Sequence, residues 1–403
     1  MNLKIFNKAL VLGGGFSGKV AALALDRQNF DVTLFEQNPK TSETFHTGSQ
    51  LDGKLAHSHI FLPRLLKDGN RILPEWICDM KAANLHFRPG SKMVGRKLQN
   101  QRLFAARWQV ESTLEKKLLN TTRISRVTDS FLEAEVDDQR CLKSLRFKKS
   151  GSQKIDSDAL VVDAMGGSSQ LIKNLALNSS EVVEHRSYVC YITQFLKFEA
   201  QEPKRLPDAL DRCTWKHKDW YISLYPAANG WFSITAVIDA RNQVLKRELG
   251  RGDGLLKIAN QHKSISCWLQ KATPLGQPSV YLDPKNTWFL DPLKNGHFPK
   301  NYCPIGDALI STSPVLGAGC SFAVTHVAEL VSSLNKSDWQ IFFAQAVSNA
   351  QSNIFEESIS YKPPNGNVDS DLLSTFSVRS ILRNFPGLSL IRKQRALRLR
   401  STL

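Results

Sequence analysis

The stretch GGGFSG has the residue types and spacing that point most directly to chemistry. Gly13, Gly15 and Gly18 match the pattern Gly-x-Gly-x-x-Gly. In such a loop the first glycine allows a tight turn, the second lets the backbone approach a pyrophosphate, and the third lets a helix pack closely on a strand. Phe16 and Ser17 would open that helix, whose free N–H groups attract phosphate. The stretch therefore predicts a dinucleotide-binding loop.

Glu36 is the acidic residue expected to accompany such a loop. It stands eighteen positions beyond Gly18, directly after the apolar run DVTLF. A carboxylate at this place accepts hydrogen bonds from ribose hydroxyls and repels a 2′-phosphate, so FAD or NAD fits better than NADP. The order of strand, glycine loop, alanine-rich helix, strand and acid makes the prediction specific. It does not by itself choose between FAD and NAD.

A second glycine-containing segment, IGDALISTSPVLGAG, leads into another apolar helix pattern. Gly306 and Asp307 stand at the end of an apolar run, and Pro314, Gly317 and Gly319 follow before the helix. Glycines at a helix N-terminus leave room for an anionic or electron-rich ligand. The segment thus predicts a second part of the same ligand site.

Two further stretches lie between these segments. Arg107 opens RWQVE at the start of a helix pattern, where its side chain can reach a phosphate or sugar, and Asp163 lies in ALVVDAMGG, a strand that runs into a glycine turn. With all four stretches in this order, over residues 9 to about 334, the chain resembles the single-FAD-domain flavin-dependent monooxygenases. This superfamily includes aromatic hydroxylases and polyketide epoxidases of secondary metabolism, and it is related to the flavin-dependent halogenases.

The resemblance decides for FAD and implies roles for the second segment. Asp307 would bind the ribityl hydroxyls, while Gly317 and Gly319 would let the backbone lie against the isoalloxazine. The fold implied is α/β, with a Rossmann-like FAD-binding domain, a mixed β-sheet substrate domain and a helical C-terminal segment. We expect the FAD-binding domain at residues 1–60, 95–180 and 285–335, the substrate-binding domain at 61–94 and 181–284, and the C-terminal segment with a basic tail at 336–403.

The activity implied is that of an FAD-dependent oxidoreductase. As a monooxygenase it would epoxidise or hydroxylate a lipophilic small molecule with O2, through a flavin C4a-hydroperoxide. Three alternatives stay open: a flavin-dependent halogenase, an FAD-dependent reductase of prenyl double bonds, and an FAD-bound adaptor that acts through its basic tail. Electrons would come from NAD(P)H or from a separate flavin reductase.

The cofactor carries the oxygen chemistry in such enzymes, so we expect a pocket of apolar and aromatic residues rather than a catalytic triad. Candidates for this pocket are His57, His59, Tyr191, Trp220 and Tyr221. The aromatic residues occur in alternating patterns typical of strands, so about half of them should point away from the pocket. No further ligand pattern accompanies the two histidines, and we expect no metal site.

Composition and charge limit the other functions. Hydrophobic residues make up 42% and charged residues 22% of the chain, as in soluble globular proteins. The seven cysteines form no CxxC pair and the N-terminus leads directly into a strand, so we expect a cytoplasmic protein with reduced thiols and no signal peptide. The net charge is +16, and no acidic residue follows Asp371.

This basic tail predicts one of three contacts: with the protein body, with an anionic membrane surface that would make the protein peripheral to the membrane, or with an acidic carrier protein. No nucleic-acid-binding motif accompanies the charge, so we expect no nucleic acid partner.

Overall fold

A computed structural model of the protein describes residues 6–39, 53–59, 61–89, 101–176, 179–198 and 214–364. Its helices are α1 (Phe16–Arg27), α2 (Pro63–Ile72), α3 (Pro74–Ala82), α4 (Arg107–Leu119), α5 (Gln170–Leu175), α6 (Gln243–Leu249), α7 (Gly254–Ala259), α8 (Lys263–Leu269), α9 (Leu290–Lys294), α10 (Gly319–Ser333) and α11 (Trp339–Ser360). Short 3₁₀ turns lie at Gly53–Ala56, Gly166–Ser168, Gly306–Ala308 and Pro314–Leu316.

The strands are β1 (Lys8–Leu12), β2 (Asp31–Phe35), β3 (His86–Pro89), β4 (Gln101–Phe104), β5 (Ile124–Val127), β6 (Phe131–Val136), β7 (Leu142–Phe147), β8 (Gly151–Lys154), β9 (Ala159–Asp163), β10 (Val183–Arg186), β11 (Val189–Phe198), β12 (Thr214–Lys216), β13 (Trp220–Pro226), β14 (Trp231–Asp239), β15 (Ala272–Pro274), β16 (Ser279–Leu282), β17 (Lys285–Trp288), β18 (Tyr302–Pro304) and β19 (Ile310–Ser311).

A five-stranded parallel sheet in the order β18-β9-β1-β2-β5 carries the predicted dinucleotide loop. Both faces of its central strands are covered, which explains why β9 is buried at every position and reads as a continuous apolar run. The crossover from β1 to β2 passes through α1, whose buried alanines allow close packing on the sheet. Because the strands are parallel, their carboxyl ends place Gly13, Glu36, Asp163 and Gly306 along one edge.

A second, antiparallel sheet follows the order β12-β13-β14-β11-β15, with β16 also paired to β11. One face of this sheet packs on α6, α7 and α8 in its own apolar core, which contains Ile192, Ile222 and Ile234. The residues that alternate with these, such as Tyr191 and Tyr221, point to the other face. The α/β fold class predicted from the sequence is thereby confirmed. Smaller sheets are formed by β3-β4, by β6-β7-β8 and by β10-β17-β19.

Helices α2 and α3 pack differently from the predicted division of the chain, which placed 61–94 in the substrate domain. Trp76 of α3 is fully buried, and its Nε1 donates a hydrogen bond of 2.7 Å to the hydroxyl of Thr113 on α4. Leu65 and Leu66 of α2 belong to the same core as the parallel sheet. The apolar faces of these helices are therefore buried against α4 and α10, not against the second sheet.

Helices α10 and α11 pack on each other and complete the first core, in line with a helical segment after residue 336. The basic tail lies outside the described residues, which end at residue 364. Among the helices that the structure describes, none combines the length and apolar character needed to cross a membrane. Nor do the described parts of the chain bring three or more His, Cys, Asp or Glu side chains into a group that could hold a metal ion.

Candidate cofactor and substrate site

The glycine loop joins β1 to α1, and its three motif glycines have different surroundings. Gly13 has a φ of +101°, and a Cβ there would lie 2.7 Å from the carbonyl oxygen of Ala164. A Cβ on Gly18 would lie 1.8 Å from the carbonyl oxygen of Gly13. At Gly15, in contrast, no atom lies within 4 Å of the Cβ position. Gly13 and Gly18 are thus needed for the loop to pack, whereas Gly15 leaves open space at the start of α1.

Glu36 supports the loop from the end of β2. Its carboxylate accepts hydrogen bonds from the backbone N–H groups of Gly14, at 2.7 Å, and Asn38, at 2.8 Å. An ionised carboxylate has about four acceptor positions, so Glu36 keeps capacity for ribose hydroxyls. Phe16, Ser17 and Glu36 all line one large cleft at this edge of the sheet.

A cluster of buried charges joins α1 to α4 next to the loop. Lys19 Nζ lies 2.9 Å from Glu115 Oε2 and 3.8 Å from Glu111 Oε2. Arg107 Nε donates to Glu111 at 2.7 Å, and Arg126 donates to Glu115 at the same distance. Each buried charge therefore has an opposite partner, which is the condition for burying charges without a large penalty.

Arg107 extends from this cluster to the cleft. Its guanidinium lies 5.8 Å from the centre of the Phe16 ring, and the side chain lines the cleft. Burial works to lower the pKa of Arg107, but the neighbouring groups, chiefly the Glu111 carboxylate, together outweigh it and the pKa is raised. Arg107 is thus a fixed cation at the cleft, which suits a phosphate or sugar ligand.

Asp163 fixes the turn at the end of β9. Its fully buried carboxylate accepts hydrogen bonds from the Met165 N–H, the Ser169 hydroxyl at 2.5 Å and the Tyr302 hydroxyl at 2.8 Å. Burial raises the pKa of Asp163, and these hydrogen bonds oppose the rise. The turn holds Gly166, at φ +74°, in the wall of the cleft.

The Gly306-Asp307 segment faces the glycine loop across the cleft. Gly306 has a φ of +58°, and a Cβ there would lie 2.3 Å from the Ser17 hydroxyl oxygen, so only glycine fits. Asp307 forms an ion pair with Lys54. A Cβ on Gly319, the first residue of α10, would lie 3.6 Å from Asp307 Oδ1.

The cleft has a volume of about 1150 Å³, and its lining includes Gly13, Gly15 and Glu36 from the first glycine unit and Asp307 from the second glycine segment. The residues present fit a dinucleotide such as FAD. Gly15 leaves space for a pyrophosphate at a helix N-terminus, Glu36 and Asp307 offer acceptors for sugar and ribityl hydroxyls, and Arg107 offers a cation.

A smaller pocket of about 100 Å³ adjoins the cleft, and the two share Phe16, Lys54, Arg107, Tyr281 and Asp307 as lining residues. Pro314, Gly317 and Gly319 line only this pocket, at the start of α10. The positive φ of Gly317, +62°, makes the turn before the helix possible. The shared wall means that a ligand in the pocket would lie against a ligand in the cleft.

Hydroxyl groups connect His57 and Ser58 of the pocket to the second sheet. His57 Nδ1 lies 3.1 Å from the Thr193 hydroxyl, which is 2.8 Å from the Thr235 hydroxyl. Thr235 is in turn 2.7 Å from the Ser58 hydroxyl, which is 2.6 Å from that of Ser233. The pocket is therefore richer in hydrogen-bonding groups than the apolar and aromatic pocket we expected.

His57 and His59 are uncharged near neutral pH. Burial lowers the pKa of His57 to about 4, and burial together with the Arg107 cation lowers the pKa of His59 well below its usual value. His59 Nδ1 donates to the carbonyl oxygen of His57 at 2.8 Å, which fixes its tautomer. Lys54 is also affected, because burial and Arg107 lower its pKa to about 8.

Of the predicted aromatic candidates, Tyr191 and Tyr221 line the pocket and Trp220 does not. Trp220 packs edge-on against Trp215, with ring centres 4.7 Å apart, in the core on the other face of the second sheet. The reason is strand alternation: Trp220 and Tyr221 are neighbours on β13 and must point to opposite faces. The prediction for Trp220 thus differs from the structure.

Sequence reasoning missed Thr193, Tyr225, Thr235, Tyr281 and Lys54 as pocket residues. Alternation could have found two of them, since Thr193 is two residues after Tyr191 and Tyr225 is four residues after Tyr221. Tyr281 and Lys54 carry no local signal, because strand pairing and a contact with Asp307 over 253 residues place them.

Comparisons with known proteins agree with this geometry. Residues 8–146 match the family model described as FAD dependent oxidoreductase. No curated protein sequence matches the chain.

Solved structures similar to this chain include flavin enzymes of two kinds. One is the myxobacterial chondrochloren halogenase CndH, with a TM-score of 0.66 and 17% identity, covering 99% of this chain and 91% of that one. The flavin-dependent brominase Bmp2 has a TM-score of 0.60 and 15% identity over 98% of this chain and 92% of its own. PqsL of Pseudomonas aeruginosa, described as a probable FAD-dependent monooxygenase, has a TM-score of 0.58 and 12% identity over 93% of this chain and 98% of its own.

At these identities the solved structures establish the fold alone, and the family match covers the part of the chain that carries the glycine loop, Glu36 and Arg107. They confirm the resemblance predicted from the four sequence stretches. Residues 8–146 thus match the model of an FAD dependent oxidoreductase family, and the chain has the fold of flavin enzymes that include halogenases and a probable monooxygenase.

Proposed function

We propose that the protein is an FAD-dependent monooxygenase that hydroxylates or epoxidises a lipophilic small molecule. The observation that carries the proposal is the wall shared by the cleft and the pocket, where Phe16, Tyr281 and Asp307 line both. A substrate in the pocket would lie next to a flavin in the cleft. Such contact is what oxygen transfer to a substrate requires.

We propose that FAD binds with its pyrophosphate at Gly13, Gly15 and Gly18 and its ribityl chain near Asp307. Phe16, Ser17, Glu36 and Arg107 would complete the dinucleotide part of the site, and Gly306, Pro314, Gly317 and Gly319 the flavin part. Bound and reduced, the flavin supplies the activation of O2. The overall reaction transfers one oxygen atom to the substrate and releases the other as water, with two electrons from NAD(P)H or from a flavin reductase.

The pocket residues would bind and orient the substrate. Tyr191 and Tyr221 are 6% and 7% exposed and offer apolar ring surface, while burial raises the pKa of both, so their hydroxyls stay protonated. The His57–Thr193–Thr235 hydrogen-bond chain offers donors and acceptors to a polar group on the substrate. With His57 and His59 neutral, these two side chains offer hydrogen bonds rather than charge to a ligand.

Labelled oxygen tests the proposal. The FAD-loaded protein is supplied with electrons from NAD(P)H or a flavin reductase, given a panel of phenols, polyketide-like alkenes and prenylated compounds, and exposed to ¹⁸O2. We expect a product that carries one labelled oxygen atom. Product without the label, or turnover without O2 that saturates a double bond, would contradict it, and the second result would favour a reductase. An adaptor without redox chemistry would form no product under any of these conditions.

A flavin-dependent halogenase is the second candidate, and Lys54 favours it. This side chain lies in the wall between cleft and pocket, where an amine would stand between a flavin and a substrate. The halogenases CndH and Bmp2 share the fold. The same panel with and without chloride or bromide separates the two functions. A product that needs halide would replace the monooxygenase proposal, whereas halide-independent oxygenation would exclude halogenation of these substrates.

A further inference from the structure

His326 is a fully buried histidine on α10 that lies behind the cleft rather than in its lining. Its Nδ1 accepts a hydrogen bond of 2.8 Å from the backbone N–H of Gly306. Its Nε2 lies 2.7 Å from Oε1 of Gln351 on α11. Because a backbone N–H can only donate, Nδ1 carries no proton and Nε2 donates to the Gln351 oxygen. The geometry therefore specifies one tautomer of a neutral ring.

Gly306 links His326 to the residues that line the cleft. At a φ of +58° it stands between the His326 ring and Ser17 of the glycine loop, whose hydroxyl oxygen would be 2.3 Å from any Cβ at Gly306. The next residue is Asp307, which lines both the cleft and the pocket. A change in the Gly306 backbone would therefore move the carboxylate that faces the cofactor.

The surroundings of His326 keep the ring neutral. Burial lowers its pKa to about 4, the hydrogen bond to Gln351 opposes this, and the Arg64 cation on α2 adds to the lowering. Phe322 and Phe343 pack around it, with ring centres 6.4 Å and 6.3 Å away. A proton on Nδ1 would place two donors against each other at Gly306, so the neutral tautomer is the form that can hold the loop.

We propose that His326 is a positioning residue of the cofactor site: its unprotonated Nδ1 holds the Gly306 N–H, and Gln351 fixes the tautomer, so that Asp307 is presented to the ribityl chain of FAD. This inference rests on the proposed site for FAD. It also gives α11 a role, because Gln351 of this helix binds Nε2 of His326.

Two substitutions of His326 separate the two hydrogen bonds. The oxygen of Asn can replace Nδ1, and the amide of Gln can replace Nε2, because their side chains reach to the matching distances from Cα. His326→Asn should keep the acceptor for Gly306 and bind FAD within about threefold of wild type. His326→Gln keeps only the Gln351 contact and leaves the Gly306 N–H without a partner, so FAD affinity should fall about tenfold or more.

The dissociation constants of FAD for the two variants, measured by flavin fluorescence, decide between positioning and bulk packing. Both variants lose one of the two hydrogen bonds, so their thermal stabilities should fall similarly, and only FAD affinity should separate them. Equal FAD affinity in both variants, whether strong or weak, would overturn the proposal.

The histidine tautomer gives a second readout, which does not depend on FAD binding. Nitrogen NMR of ¹⁵N-histidine-labelled wild-type protein without FAD should show one histidine with an unprotonated Nδ1 and a protonated Nε2 that is lost in His326→Asn. Finding Nδ1 protonated would overturn the proposal. If wild-type protein fails to bind FAD at all, the cofactor site is wrong, and the tautomer measurement still decides the contact between His326 and Gly306.

Discussion

Gly15 and Gly18 are two residues of the same motif with opposite structural roles. The Cβ position of Gly15 is open, whereas that of Gly18 is 1.8 Å from a backbone oxygen. We therefore expect Gly15→Val to leave the melting temperature nearly unchanged while lowering FAD affinity about tenfold or more, because the side chain fills the pyrophosphate space. Gly18→Ala should instead cost about 1–3 kcal/mol of stability through overpacking. Thermal unfolding and FAD titration of both variants check this. A large loss of melting temperature in Gly15→Val, or none in Gly18→Ala, would contradict these roles.

The neutral buried histidines predict how stability depends on pH. His326 has a folded pKa of about 4, below the usual value of 6.5, so between these values the unfolded chain binds more protons than the native protein. Stability should fall as the pH drops from about 6.5 to about 4, with His326 contributing on the order of 3 kcal/mol. Urea unfolding at several pH values checks this against His326→Asn, in which the decline should be smaller. Identical pH profiles would show that His326 does not contribute.

The same residues show what the sequence could predict. The glycine loop and Glu36 were predictable because their roles depend on spacing within one βαβ unit. The side toward which Trp220 points was not, because it depends on which face of β13 meets the pocket. His326 gave no signal either, since its role arises only when α10 and α11 pack and bring Gln351 beside it.

The contact between α1 and α4 is held at the element scale by Lys19, which pairs with Glu111 and Glu115 and is 5% exposed. Lys19→Met should destabilise the protein by about 1.5–3 kcal/mol, because two buried carboxylates lose the cation that they share and keep one arginine each. Lys257→Met is the matched control. Its pair with Asp253 is exposed, and its loss should change stability by less than about 0.5 kcal/mol. Similar effects of the two changes in urea unfolding would contradict the role given to Lys19.

Helices and strands were easier to predict from the sequence than the elements against which they pack. The strand patterns of DVTLF and ALVVD and the helix that begins at Arg107 could be read locally, and the structure has these elements. The packing of α2 and α3 could not, because the sequence shows that a helix has an apolar face but not which core receives it. Their burial with the parallel sheet depends on long-range contacts such as that of Trp76 with Thr113.

At the scale of the whole molecule, the cleft and the pocket lie where the parallel sheet meets the antiparallel sheet. The first supplies Gly15, Glu36 and Asp307, and the second supplies Tyr191 and Tyr221. This division explains why the glycine-containing stretches of the sequence predicted the cofactor and no stretch predicted the substrate. Cofactor binding depends on backbone geometry with a recognisable glycine pattern, while substrate binding depends on side chains from several strands.

FAD titration of the wild-type protein is the measurement that tests the central claim most directly, with Asp307→Ala as its matched variant. We predict saturable binding of one FAD per chain, seen as a change in flavin absorbance and fluorescence, and weaker binding by Asp307→Ala, because that variant lacks the proposed acceptor for the ribityl hydroxyls. No saturable binding by folded wild-type protein would contradict the assignment as an FAD enzyme. Equal affinity in both proteins would place the flavin elsewhere than the cleft described above.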